Sequence, residues 1–321
     1  MRERRPGGGR DGSRVGAPRY TRGAVAAFGY ILLCLIWGST WLAIKLGVDA
    51  GMPPLLGASL RFAIAAALLL PAARVLAPAA FRDRTAWRLA LLVGLLSFGF
   101  GYGCTYIAAL WIPSGLGSLT FGFFPFWVAV LAHFILKERL TLAKLLAIGL
   151  GFSGLALLSY GSLRELGADT ALGVGIVTCS VLVQGFPQVM IKRDGKDVPT
   201  VFLSGAGMLI GSIVLALVAG LAGEWSRPFP WTPPVVLSVG YLALMGSIVT
   251  FMIYYGLLKR LSATLMALVA LITPPIAVVL GSIYRDEKLG ALTLTGGAIV
   301  LVGVGLFQLE ERRVTRLRRG A

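Results

Sequence analysis

Gln184 and Gln188 stand four residues apart in a stretch, 171 to 192, made of apolar and small residues apart from a terminal lysine. Positions i and i+4 share one face of a helix. A carboxamide left unpaired in an apolar medium costs several kcal/mol, so this face needs partners on a neighbouring helix or a wet cavity. Trp37 and Trp41 repeat the spacing in the stretch 25 to 46. Aligning the two stretches on Gly38 with Gly185 and Lys45 with Lys192, both at offset 147, sets Trp37 against Gln184 and Trp41 against Gln188. At ~1.5 Å per residue, Trp37 and Gln184 both lie ~18 Å from the run ends. Flat aromatic surface on one side and amides on the other suit the binding of an amphipathic or aromatic solute. Tyr102, Tyr106 and Tyr254 add to the candidate binding set, with Phe124, Trp127 and Phe251 nearby.

Covalent chemistry has one candidate. Gly151-Phe152-Ser153-Gly154 matches the GxSG pattern of an intramembrane serine nucleophile, and His133 is the only histidine that could activate it. Depth separates them: Ser153 lies ~18 Å from the cytoplasmic start of its run, His133 only ~5 Å from the cytoplasmic end of the preceding one. A general base must come within hydrogen-bond reach of its nucleophile, so a Ser153/His133 hydrolase is the disfavoured alternative. Cys34, Cys104 and Cys179 all fall inside apolar runs and act as small hydrophobes. We therefore expect no metal, no cofactor and no enzymatic activity.

Charge within the apolar runs is sparse. Arg61 sits ~12 Å into its run and needs a carbonyl partner, a cavity or snorkelling. Lys45 and His133 lie near the two interfaces; with Arg61 they are the candidates for coupling or gating. Every Asp and Glu falls at a run end or in a loop, so no acidic proton relay is evident. A carrier driven by its substrate gradient is at least as well supported as a proton antiporter. Pro125, Pro187, Pro274 and Pro275 lie mid-run, where each removes a backbone donor, freeing carbonyls near Phe121, Ala270 and Leu271 or creating hinges.

The elements that position these residues follow from composition. With 57% hydrophobic and 14% charged residues in 321 and a mean hydropathy of +0.82, the chain is too apolar for water. We read ten membrane-length runs, approximately 25 to 46, 54 to 76, 87 to 110, 114 to 136, 141 to 161, 171 to 192, 200 to 222, 234 to 258, 262 to 284 and 290 to 309. Continuous apolar runs without alternation exclude a membrane barrel. The stretch 24 to 46 is longer than a signal-peptide core and reads as the first anchor. Of the 30 lysines and arginines, 24 fall on one side of this topology and 5 on the other. The positive-inside rule puts both termini in the cytoplasm. The net charge of +16 is thus a topology signal that can touch anionic lipid. No aromatic platform interleaves with it, which argues against nucleic acid.

Pro125, Glu138, Leu140 and Gly154 recur as Pro274, Glu287, Leu289 and Gly303, each 149 positions later. Five runs per interval would make the second copy enter the membrane from the opposite side. The expected organisation is a disordered basic arm at 1–23, a first repeat at 24–161, a second at 171–309 and a basic tail at 310–321. Glu138 and Glu287 stand just before helices five and ten, where their charge orients a helix start.

Trp37-Gly38-Ser39-Thr40 with Lys45, Pro53-Pro54 with Arg61, Pro125 with Glu138, and Pro274 with Glu287 together resemble the EamA branch of the drug/metabolite transporter superfamily over about residues 25 to 309. The resemblance implies an all-α inner-membrane carrier of ten helices, two inverted five-helix repeats around a central cavity, exporting metabolites or drugs. The partners it implies are a small-molecule solute and membrane lipid, with homodimer formation open. The second copy departs from the first, carrying Gly185-Phe186-Pro187-Gln188 where the first has Gly38-Ser39-Thr40-Trp41. A receptor or scaffold with the same topology remains the other alternative.

Overall fold

A computed structural model describes residues 19–112, 117, 120–158, 160, 168–285 and 291–320. Glu287, Lys288 and residues 1–18 lie outside them. The described residues are helical with no strand. In chain order the helices are α1 (Arg19–Asp49), α2 (Pro54–Leu76), α3 (Arg84–Ala108), α4 (Phe124–Leu136), α5 (Leu142–Leu158) and α6 (Ala168–Asp194). They continue as α7 (Thr200–Leu221), α8 (Pro233–Leu258), α9 (Ala263–Ala267), α10 (Val269–Arg285) and α11 (Ala291–Gly320).

Seven of these helices are long and apolar enough to cross a membrane, in α1, α2, α3, α6, α7, α8 and α11. The runs expected at 114 to 136, 141 to 161 and 262 to 284 appear as shorter apolar helices over Phe124–Leu136, Leu142–Leu157 and Ala263–Ala277. Two of them are interrupted. Turns at 122–123 precede α4, so Pro125 falls in the first turn of the helix, where it has no intrahelical donor to lose. A turn at Leu268 separates α9 from α10; of the four candidate hinge prolines, Pro187 and the Pro274-Pro275 pair are interior to their helices, as Pro71 of α2 also is.

Helix α1 begins at Arg19 and α11 continues to Gly320 through the expected basic tail; residues 1–18 of the expected arm lie outside the described residues. A helix nucleated in an apolar run extends at small cost through Arg and Thr. The extension of α11 is also anchored: Lys144, itself buried, pairs with Glu311, and the Thr141 hydroxyl donates to Glu310 at 3.2 Å.

Small residues set the packing. A Cβ on Gly211 would lie 2.3 Å from Cβ of Phe98 and 2.9 Å from its carbonyl carbon, and one on Gly94 would meet Ile210 at 2.6 Å. The glycines of α7 thus bring it against α3 at backbone distance. Gly154 and Gly303 occupy reciprocal places: a Cβ on Gly154 would sit 2.7 Å from the Gly296 carbonyl oxygen of α11, and one on Gly303 would sit 2.7 Å from the Ala147 carbonyl oxygen of α5. Two repeat-related glycines therefore make one helix crossing.

The start of α2 is held from a distant loop. Glu224 accepts the backbone N–H of Leu55 at 3.2 Å and of Leu56 at 2.8 Å, answering donors that the helix leaves open. Glu224→Ala should lower stability by about 1–2 kcal/mol, read as a drop in Tm of the purified protein, while Glu224→Gln should retain part of the cap.

Within α3 residues 93–101, and within α8 residues 244–249, are π-helical. These wider turns fall at nearly the repeat interval from each other. Such bulges free carbonyls and commonly mark functional sites; glycines at 94, 99 and 101 in α3 and Gly246 in α8 accompany them.

Candidate functional site

A cavity of about 120 Å³ lies at the centre of the bundle, walled by α1, α3, α6, α8, α9 and α10 with Phe121 and Phe124 at the start of α4. Since one water needs ~10–15 Å³ by this measure, there is room for several waters or a small organic solute. Trp37, Trp41, Tyr102, Gln184, Gln188 and Tyr254 all line it. They come from four helices, and the two i, i+4 pairs meet across one space.

The aromatic wall is continuous. Trp37 lies 5.4 Å from Phe251 and 5.0 Å from Tyr254 between ring centres, and Phe251 lies 6.2 Å from Tyr102, spacings at which edge and tilted contacts are favourable. Trp41 meets Phe121 edge-on at 6.2 Å.

The two glutamines differ. Gln188 is buried; its Nε2 donates to the Ala263 carbonyl at 2.7 Å and its Oε1 accepts the Tyr254 hydroxyl at 2.5 Å. It is a fixed strut between α6, α8 and α9. Gln184 is half-buried and its Nε2 donates to Ser180 Oγ at 2.8 Å; its Oε1 has no hydrogen-bond partner among the described residues. Gln184 thus keeps hydrogen-bonding capacity for a solute. Tyr106 stands apart from the cavity: it is fully buried behind the wall, its hydroxyl 3.4 Å from Arg61 Nη1. Trp127 is also a packing residue, donating to the Leu182 carbonyl at 2.8 Å and covering Gly185.

Arg61, 1% exposed, lies one layer behind the cavity wall. Its Nη2 donates to the Gly246 carbonyl at 2.6 Å and its Nε to Ser247 Oγ at 2.7 Å, both in the π-helical part of α8. Its guanidinium also faces the rings of Phe62 at 5.0 Å and Tyr102 at 5.1 Å.

Glu138 acts on a different helix from the one expected. Lys137 adopts a left-handed backbone (φ 57°) after α4, a helix-ending conformation, and Glu138 reaches α9 instead of the start of α5. It accepts the Ala263 N–H at 3.0 Å and the Thr264 hydroxyl at 3.0 Å. Because Ala263 also receives Gln188, a hydrogen-bonded chain runs from Glu138 to the cavity.

The remaining candidates lie elsewhere. Lys45 pairs with Asp49 at 2.8 Å. His133 Nδ1 lies 3.0 Å from the Glu138 carbonyl oxygen, and exposed Ser153 donates to the Leu150 carbonyl at 2.7 Å, so these two side chains are engaged locally and not with each other. Ser153→Ala should change stability by less than about 0.5 kcal/mol, measured by thermal unfolding of the purified protein.

The sequence pattern of the EamA-like transporter family matches residues 24–160 and again 171–308. The chain belongs to this family. Its relatives include the uncharacterized inner membrane transporter YedA of Escherichia coli (strain K12), 30% identical over 290 residues, with 88% of this chain and 92% of that protein aligned. Another is a probable amino-acid metabolite efflux pump of Salmonella typhimurium (strain LT2), 26% identical over 302 residues and covering 89% and 96%. A crystal structure of a protein 19% identical superposes with a TM-score of 0.75 over 91% of this chain and 99% of the other, showing a shared fold. This EamA-family chain is an integral membrane protein of a transporter family, and its setting is a lipid bilayer and a small-molecule solute.

Sequence reasoning did not anticipate Thr40, Ser97 and Thr105, small hydroxyl residues that also line the cavity. Each bonds a carbonyl or neighbouring hydroxyl within or between helices, or lies in the π-helical part of α3, so nothing in their type set them apart. The glycine density around Ser97 was the available signal.

Proposed function

We propose that the chain is a secondary transporter that exports small metabolites or drug-like solutes across the cytoplasmic membrane by alternating access. The observation that carries this reading is a cavity walled by both family-matched segments, with Trp37, Trp41 and Tyr102 from the first and Gln184, Gln188 and Tyr254 from the second. Ten crossings in two inverted five-helix repeats, with both termini cytoplasmic, agree with the odd number of runs per repeat and the charge asymmetry. The reciprocal glycines of α5 and α11 are what such a two-fold arrangement would produce. The solute stacks on the Trp37 and Tyr102 side and hydrogen-bonds Gln184.

Motion in this reading bends α6 at Pro187 and α10 at Pro274-Pro275, where the missing donors weaken the ladder. Glu138 with α9 and Gln188 closes one end of the path. A solute gradient is at least as well supported a driving force as a proton gradient, with no carboxylate among the described lining residues. Reconstituted vesicles loaded with a panel of amino acids, aromatic metabolites and amphipathic drugs test this. Saturable flux with and without a pH gradient is expected; strict dependence on the gradient contradicts the facilitator, and no flux above empty vesicles favours a receptor or scaffold.

A further inference from the structure

Arg61 is a full positive charge in the bundle interior whose described partners are all neutral: a carbonyl, two hydroxyls and two aromatic faces. It forms no ion pair among the described residues. The described carboxylates are engaged elsewhere: Glu138 and Glu224, for instance, cap α9 and α2, and Glu310 and Glu311 in α11 meet Thr141 and Lys144. A buried cation without a counter-charge carries a large desolvation cost, and neutral acceptors and rings offset it only in part.

Its position relates that charge to the cavity. Arg61 faces the ring of Tyr102, which lines the space. A Cβ built on Gly246 would lie 3.2 Å from Arg61 Nη2 and 3.0 Å from Cγ2 of Thr40, another lining residue. The guanidinium and the Thr40 side chain therefore both approach the same glycine. In a low-dielectric interior with no compensating acid, the field of Arg61 extends into the cavity.

A second feature has the same sign. The Trp37 indole Nε1 is buried without an acceptor among the described residues, although Trp37 itself lines the cavity. An unanswered buried donor calls for an electronegative partner. Gln184 offers both a donor and an acceptor and does not set the polarity. Among the described lining residues no side chain is charged, and Arg61 is a charge whose guanidinium lies directly against a lining ring, that of Tyr102.

We infer that the solute this cavity selects is a small organic monoanion, a carboxylate attached to an apolar or aromatic body. The ring packs on the Trp37 and Tyr102 side, and the carboxylate turns toward Thr40 and the Arg61 field, within reach of the Trp37 N–H after a small side-chain adjustment. This rests on the cavity being the transport site.

Three probes of nearly equal size and different charge test it: benzoate, benzamide and benzylammonium, titrated onto the purified full-length protein with affinity read by calorimetry. Benzoate is expected to bind at least about tenfold more tightly than either of the others. Arg61→Gln should abolish that preference and Arg61→Lys should keep most of it. Should Arg61→Gln not fold, Trp37→Phe, which keeps an aromatic face and deletes the N–H, should weaken benzoate severalfold more than it weakens benzamide. Equal affinities, a preference for the cation, or no measurable benzoate binding each overturn the inference. Flux in vesicles separates this from the carrier reading. Saturable flux without a benzoate preference leaves a carrier and removes the anion selectivity, whereas anion-selective binding without any flux upholds the selectivity and removes the carrier.

Discussion

Gly303→Leu should separate α11 from α5 and lower stability by about 3 kcal/mol or more. A Cβ at this position would lie 2.7 Å from the Ala147 oxygen, 2.7 Å from the Gly151 nitrogen and 2.9 Å from the Gly151 Cα. All three are backbone atoms of a helix, which cannot rotate out of the way as a side chain could. Overpacking a close helix contact usually costs about 1–3 kcal/mol, and a leucine facing rigid backbone belongs at or beyond the upper end. Gly305, two residues on, has open space around it and provides the control. Gly305→Leu should be neutral or slightly stabilising, because leucine is the better helix former. Thermal unfolding of both variants in the same detergent makes the comparison; equal midpoints would mean that the α5 and α11 backbones are not in contact.

The second large effect is a contrast between the two glutamines. Gln188→Leu leaves the Tyr254 hydroxyl and the Ala263 carbonyl without their partner in the bundle interior, and each orphaned buried group costs about 1–3 kcal/mol. A loss of roughly 2–4 kcal/mol in stability is expected. Gln184→Ala gives up one hydrogen bond, to Ser180, from a half-buried position, and its stability change should stay near 1 kcal/mol. Its effect should appear in solute handling instead. Unfolding of both variants and solute affinity of the second separate strut from ligand group. Reversed outcomes, a fragile Gln184→Ala and a silent Gln188→Leu, would exchange the two roles.

The all-helical apolar character and the duplication were legible in the sequence because both depend on residue type and spacing. An aromatic pair and an amide pair at i, i+4 on aligned helices had to face something, and Trp37, Trp41, Gln184 and Gln188 now surround one cavity. Tyr106 shows the limit of such reading: it is one turn from Tyr102, yet the helix path sends it behind the wall to Arg61. Glu138 shows another. Sequence places it before α5, but the left-handed turn at Lys137 and the approach of α9 decide which helix start it meets. The π-helical segments were invisible because winding depends on how glycines of α3 and α8 settle against their neighbours. For the same reason the sequence left the partners of Arg61 open; they are the carbonyl and hydroxyl of one such segment.

Initial flux of a solute panel in reconstituted vesicles, compared between wild type and Gln184→Ala at equal protein incorporation, tests the central claim most directly. The account predicts saturable flux for at least one small solute in the wild type and a loss of tenfold or more in the variant, with its fold intact by unfolding midpoint. Wild-type flux retained across the whole panel in Gln184→Ala would contradict it.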